Sequence, residues 1–174
     1  MISKIYLSGK LESIVPKSVI NKENKDSTNP LGKWTATLFY VNHKKCLMIT
    51  NSNARYTVML DRIMTSDFSD LSAFFAKILY EQLLTDDIVI DWLKVLKIVG
   101  KVELYTTDND KKLIGTQNSI LKYLEDWKYE FGHIDNWPFR EINRRINGIP
   151  YKQLEWLFPR EKMKIDLNEI NTNL

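Results

Sequence analysis

Residues 30–62, PLGKWTATLFYVNHKKCLMITNSNARYTVMLDR, constrain the fold more than any other stretch of this chain. They read as three consecutive short strands. Residues 34–41 are rich in β-branched and aromatic side chains, and Asn42-His43 supplies a tight turn. The chain returns over residues 45–50, turns again at Asn51-Ser52-Asn53, and runs on over 55–60. Such a meander is the seed of a sheet. It carries no catalytic signature.

Composition sets the scale of what surrounds it. A chain of 174 residues with 44% apolar content fits one domain with a substantial core. Five Trp, eight Tyr and seven Phe supply large areas to bury. Cys46 is the single cysteine, which excludes a disulfide within the chain and fits a reducing compartment. Inside a strand, Cys46 reads as a small buried hydrophobe. Met1-Ile2-Ser3-Lys4 does not lead into the apolar run of a signal peptide. No window approaches the roughly 18 apolar residues of a membrane span. A cytoplasmic protein is expected. The net charge of +3, from 25 basic and 22 acidic residues, is too small to argue for nucleic acid by itself.

Strands are expected near 2–7, 34–41, 45–50, 55–60 and 101–107. Helices are expected near 69–84, 87–99, 117–131 and 139–147, from apolar residues at helical spacing and from Gly100 and Gly148 as stops. Residues 21–29, NKENKDSTN, have no periodicity and read as a mobile loop. A single domain over 1–165 and a polar tail over 166–174 follow. Strand and helix blocks mix without regular βαβ alternation. The expected class is therefore α+β, an antiparallel sheet of about five strands with about four helices packed mostly on one face. Its core should hold Phe39, Leu47, Ile49, Val58, Leu60, Phe75, Ile78, Leu96, Leu104, Leu124, Trp127 and Ile142.

Searches for chemistry exclude more than they find. The two histidines, His43 and His133, sit at turns with no nucleophile in a motif context. They and Cys46 are too scattered to hold zinc. Asp108-Asn109-Asp110 begins like a calcium loop, but Lys112, Leu113 and the late Gly115 break the pattern. The glycines are isolated, so no phosphate loop forms, and no cofactor is implied. Arg140, Arg144 and Arg145 on one helix, near Trp137, Phe139, Tyr151 and Trp156, give the one patterned basic signal. Its alternative is a solvated face interleaved with Glu141, Glu155 and Glu161.

Several pieces occur in a recognisable order. They are Lys10-Leu11, Pro30-Leu31-Gly32-Lys33-Trp34-Thr35-Ala36-Thr37-Leu38, Lys44-Lys45, Thr50-Asn51, Arg55-Tyr56 and Asp67-Phe68-Ser69-Asp70-Leu71. Thr107-Asp108-Asn109, Gly115-Thr116-Gln117-Asn118 and Ile142-Asn143-Arg144-Arg145-Ile146-Asn147-Gly148-Ile149-Pro150 complete the set. Together they resemble a bacterial domain-of-unknown-function family of small proteins. The resemblance implies a fold unit and no activity.

The functional expectation is a non-catalytic binding or regulatory protein acting through an acidic protein partner, with no membrane contact. The alternatives are a nucleic-acid-associated protein using the helix at 140–145 and an enzyme with an unrecognised site. The candidate binding residues are Lys44, Asn51, Arg55, Asn118, Arg140, Asn143 and Arg144, polar groups at element ends. Lys44, Arg55, Asn118, Arg140 and Arg144 are expected to converge on one cationic patch.

Overall fold

The structure, a computed structural model, describes residues 1–22 and 29–172. Strands β1 (Ile2–Leu7), β2 (Ile20–Asn21), β3 (Trp34–Val41), β4 (Lys44–Asn51), β5 (Thr57–Leu60) and β6 (Lys101–Tyr105) form one sheet in the order β2-β6-β1-β3-β4-β5. Helices α1 (Gly9–Glu12), α2 (Leu71–Thr85), α3 (Trp92–Val99), α4 (Lys111–Phe131), α5 (Phe139–Ile146) and α6 (Pro159–Thr172) surround it.

The expected meander is the antiparallel half of this sheet. β3 pairs with β4 from Trp34↔Asn51 to Val41↔Lys44, and β4 pairs with β5. Asn42 and His43 both take positive φ, 45° and 63°, as a tight two-residue hairpin demands. The other half corrects the antiparallel expectation. β1 pairs parallel with β3 and with β6, and β2 pairs parallel with β6. The sheet is therefore mixed, with six strands.

Helices pack on both faces, not mostly on one. Alternate residues of β3 and β4 divide between two cores. Trp34, Ala36, Leu38, Leu47 and Ile49 join Phe75, Leu79, Ile98, Met163 and Leu167 under α2, α3 and α6. Phe39, Val41, Cys46 and Met48 join Ile120, Leu124, Ile142 and Ile146 under α4 and α5. Strands buried on both faces read as continuous apolar runs, as LMIT in β4 does. Of the expected core, Leu60, Ile78, Leu96 and Trp127 are half-buried and the others are buried. Burial pushes the Cys46 thiol up to about 11, so it stays protonated at neutral pH.

Other boundaries move for local reasons. The helix expected from 87 begins at Trp92, because Asp87 takes φ 61° and Asp91 caps α3 through the N–H groups of Leu93 and Lys94. The helix expected from 117 begins at Lys111, because the Asp110 carboxylate caps it. The stretch 166–174, read as a polar tail, carries the end of α6 as far as Thr172, with Leu167 and Ile170 buried. Of the expected loop at 21–29, residues 23–28 lie outside the described residues. At its end Asn29 is buried, its amide donating to the Ile98 carbonyl at 2.8 Å and accepting from the Leu31 N–H at 2.9 Å.

The outer edge of β5 is closed by side chains. Asn143 and Asn147, one turn apart on α5, face Thr57 and Met59. The Asn147 amide accepts from the Thr57 N–H at 2.8 Å and donates to the Thr57 carbonyl at 3.0 Å. The Asn143 amide does the same for Met59, at 2.9 and 3.3 Å. Two asparagines thus occupy the place of a seventh strand and leave the edge unavailable for further pairing. Behind them, buried Asp86 accepts from the Tyr56 hydroxyl at 2.5 Å, Asn147 at 3.0 Å and Gln82 at 3.3 Å.

This network makes stability depend on pH. Burial raises the Asp86 carboxyl above the ordinary aspartate range, against the opposing pull of Tyr56, Asn147, Gln82 and the Arg144 charge. A carboxyl raised on folding binds its proton more tightly in the native state. Its contribution to stability is then present below the unfolded pKa and falls as pH rises through the folded one. Tyr56→Phe removes the closest donor to the carboxylate and should raise Asp86 further. The variant is expected to lose about 1–3 kcal/mol, with a larger loss at about pH 8 than at about pH 4. Urea melts at the two pH values test this, and equal losses at both would remove Asp86 from the account.

Candidate functional site

The turn between β4 and β5 is built by Asn51 and delivers Arg55. Asn51 is fully buried. Its amide donates to the Leu31 carbonyl at 2.8 Å and accepts from the N–H groups of Asn53 and Ala54 at 3.0 and 2.8 Å. This side-chain-closed turn bends the chain back so that the Arg55 N–H meets the Asn51 carbonyl at 3.1 Å. Arg55 takes φ 57°, a left-handed conformation that costs an L-residue roughly 1–2 kcal/mol.

The side chain is as unusual as the backbone. Arg55 is 8% exposed, yet among the described residues its guanidinium makes no hydrogen bond and no ion pair. Burial lowers its pKa, opposed by Asp110 and Tyr151, the ionisable groups that face it. The Asp110 carboxylate is already engaged. It caps α4 through the N–H groups of Lys112 and Leu113 and pairs with Lys33 at 2.9 Å, while Lys33 also pairs with Asp108. These bonds outweigh burial and hold the Asp110 carboxyl below its ordinary range. Burial pushes the Tyr151 phenol up to about 12, so it presents a neutral hydroxyl. A buried cation with no committed counterion is costly, and folds keep such groups where a ligand supplies the missing charge.

The floor beside Arg55 is polar where an apolar layer would pack as well. Gln117 of α4 donates to the Thr35 carbonyl at 2.9 Å and to the Thr50 hydroxyl at 3.3 Å. The Thr50 and Thr57 hydroxyls meet at 3.1 Å, and the Thr57 hydroxyl donates to the Arg55 carbonyl at 3.2 Å. Among the described residues the buried Thr35 hydroxyl has no hydrogen-bond partner.

Tyr151 opens a turn whose other end is an exposed tryptophan. The Trp156 N–H bonds to the Tyr151 carbonyl at 3.0 Å, and Glu155 and Trp156 are consecutive left-handed residues with φ 55° and 68°. Trp156 is 67% exposed. Strain of this kind persists only where the surrounding structure enforces it.

Of the seven residues singled out from the sequence, Asn51 and Arg55 share this site. Lys44 stands at the other end of β4, seven residues or about 23 Å away along the strand. Asn118 is exposed on α4, five residues and so about 140° around the helix from Tyr123, the tyrosine that Tyr151 faces. Arg140 pairs with Glu81 at 2.6 Å, and Arg144 with Asp87 at 2.6 Å and with the Thr85 carbonyl. These two arginines tie α5 to α2, and Asn143 holds the β5 edge. The five residues expected on one cationic patch therefore lie in separate places. Lys33, Asp110, Gln117, Tyr123 and Tyr151 were not assigned to this site from sequence. Pro150, which stops the chain from continuing α5 and so positions Tyr151, was the available signal.

The arrangement defines a mixed α/β domain carrying a polar, cation-centred cluster at one turn of its sheet. Among the described residues no helix is long and apolar enough to cross a membrane. The chain belongs to the family described as Domain of unknown function (DUF6933), whose model matches residues 4–162 and so takes in Arg55, Tyr151 and both edge asparagines. No curated protein matches the chain.

Proposed function

We propose that this protein is a cytoplasmic, non-catalytic binding module that receives an anionic group of a protein partner on Arg55. The carrying observation is the Arg55 guanidinium, buried on a left-handed backbone and unpaired among the described residues. A carboxylate or phosphate arriving there would form charge-assisted hydrogen bonds in a partly desolvated setting, where they are strongest. Tyr151 adds a neutral hydroxyl donor. Trp156, on the turn that Tyr151 begins, is the type of side chain that anchors protein interfaces. The arginines of α5 do not favour nucleic acid. Arg140, Arg144 and Arg145 are each paired with a carboxylate, Arg145 with Glu130 at 3.0 Å, so the helix presents a compensated face.

Arg55→Asn separates this reading from a structural role for the arginine. Asparagine tolerates the left-handed region and carries no charge. The variant is expected to match the parent in stability or to gain up to about 1 kcal/mol, while partner capture from the native host falls at least tenfold. Arg140→Gln, on the α2 side, should keep full capture. An Arg55→Asn variant that loses more than about 2 kcal/mol, or one that captures the same partners, would show that Arg55 serves the fold.

A further inference from the structure

The parallel half of the sheet carries a cavity whose lining does not include Arg55. β1, β2 and β6 run in the same direction, so their carboxyl ends meet along one rim. The residues that follow these strands, Gly9 after β1, Lys22 after β2 and Thr106 after β6, all line a cavity of about 670 Å³. Glu12 and Ser13 from the end of α1, Lys17 from the approach to β2, and Ile20 and Asn21 of β2 itself also line it. In open sheets with parallel strands, ligands bind outside the carboxyl ends where the strand order reverses. Here the chain goes from β1 to β2 on one side, crosses β1 to build β3, β4 and β5 on the other, and returns as β6 between β2 and β1, so its connections reverse about β1 beside this rim. The volume is that of a small-molecule site.

The lining sets the ligand class. Lys17 and Lys22 are exposed, and among the described residues neither they nor Glu12 forms an ion pair. Two lysines act as hydrated point charges, suited to the two negative charges of a phosphate monoester. Glu12 can accept from a hydroxyl on the ligand body, and Ile20 offers apolar contact. We infer that this cavity binds a small phosphate-bearing metabolite with a hydroxylated body, independently of the Arg55 site.

The test is a titration of the isotope-labelled full chain, followed by amide chemical shifts. The probes are inorganic phosphate and ribose 5-phosphate, with ribose as the uncharged control. Saturable shifts at Gly9, Ser13, Lys22 and Thr106 are expected with both phosphates, at lower concentration for ribose 5-phosphate, and not with ribose. Lys17→Gln combined with Lys22→Gln should weaken binding at least tenfold without moving the melting temperature, since both side chains are exposed. Arg55→Asn should leave the titration unchanged. Shifts that fail to saturate, or that survive the double substitution, overturn the inference.

Discussion

Asn147→Ala is expected to be among the most damaging single substitutions in this chain. It removes three buried hydrogen bonds at once, the two to the Thr57 backbone and the one to Asp86. Each group left behind faces a desolvated surrounding, and a buried polar group without its partner costs about 1–3 kcal/mol, so a total near 4 kcal/mol is expected. The consequences reach beyond stability. The freed edge of β5 offers an unpaired N–H and carbonyl to another chain, so the variant should self-associate as it destabilises. Asn147→Asp provides the discriminating control. Its carboxylate can still accept from the Thr57 N–H, but an acceptor then faces the Thr57 carbonyl and the Asp86 carboxylate. That variant should be partly rescued at low pH, where one carboxyl of the pair is protonated, and Asn147→Ala should not be. Hydrogen exchange at Thr57 and Met59, with urea melts and sedimentation, reads all three effects. Wild-type protection of these two amides in Asn147→Ala would mean that the edge is closed by something else.

The parts of this fold legible in the sequence are those written in local pattern. The β3–β4 hairpin follows from a β-branched, aromatic run and a two-residue turn, information contained within 18 residues from Trp34 to Asn51. The parallel half is not local. Ile2 pairs with Lys101 and Ile5 with Leu104, and nothing in either short strand records the direction of a partner so far along the chain. Helix α6 was hidden for a different reason. Met163, Leu167 and Ile170 make a helical stripe, but they sit in KMKIDLNEI, where charged and amide neighbours dilute it.

The site divides in the same way. Arg55 and Asn51 were legible as polar residues at strand ends, where function gathers. The left-handed backbone of Arg55 was not, since arginine has no preference for that region and only the Asn51-closed turn imposes it. Asn143 was visible as a polar residue at an element end, but its place on the β5 edge was not. The decisive signal was its partner Asn147 four residues on, which places two amides on one helix face at a spacing that can match alternate residues of a strand edge. Arg140 and Arg144 share such a spacing too, but their counterions, Glu81 on α2 and Asp87 just beyond it, come from more than fifty residues away, outside any pattern within the helix.

Trp34→Ala should cost about 4 kcal/mol, as truncation of a large buried aromatic does. Trp34 has no exposed surface and meets the Phe75 ring edge-on at a centroid distance of 5.0 Å. Its buried indole N–H has no partner among the described residues, so the residue contributes packing without a hydrogen bond there. Trp34→Phe should therefore be tolerated far better. It leaves a smaller void and removes an unsatisfied donor, and a loss of about 1–2 kcal/mol is expected. The position also bears on the site. Trp34 lies opposite Asn51 in the β3–β4 ladder, so its packing supports the turn that fixes Arg55. Trp34→Ala, assayed where it remains folded, should weaken capture through Arg55 more than Trp34→Phe does. Phosphate titration at the rim of β1, β2 and β6 should be unchanged in Trp34→Phe. Equal capture by the two folded variants would disconnect the core from the Arg55 turn. An Ala variant losing less than about 1 kcal/mol would contradict the packing that places Trp34 at the centre of the larger core.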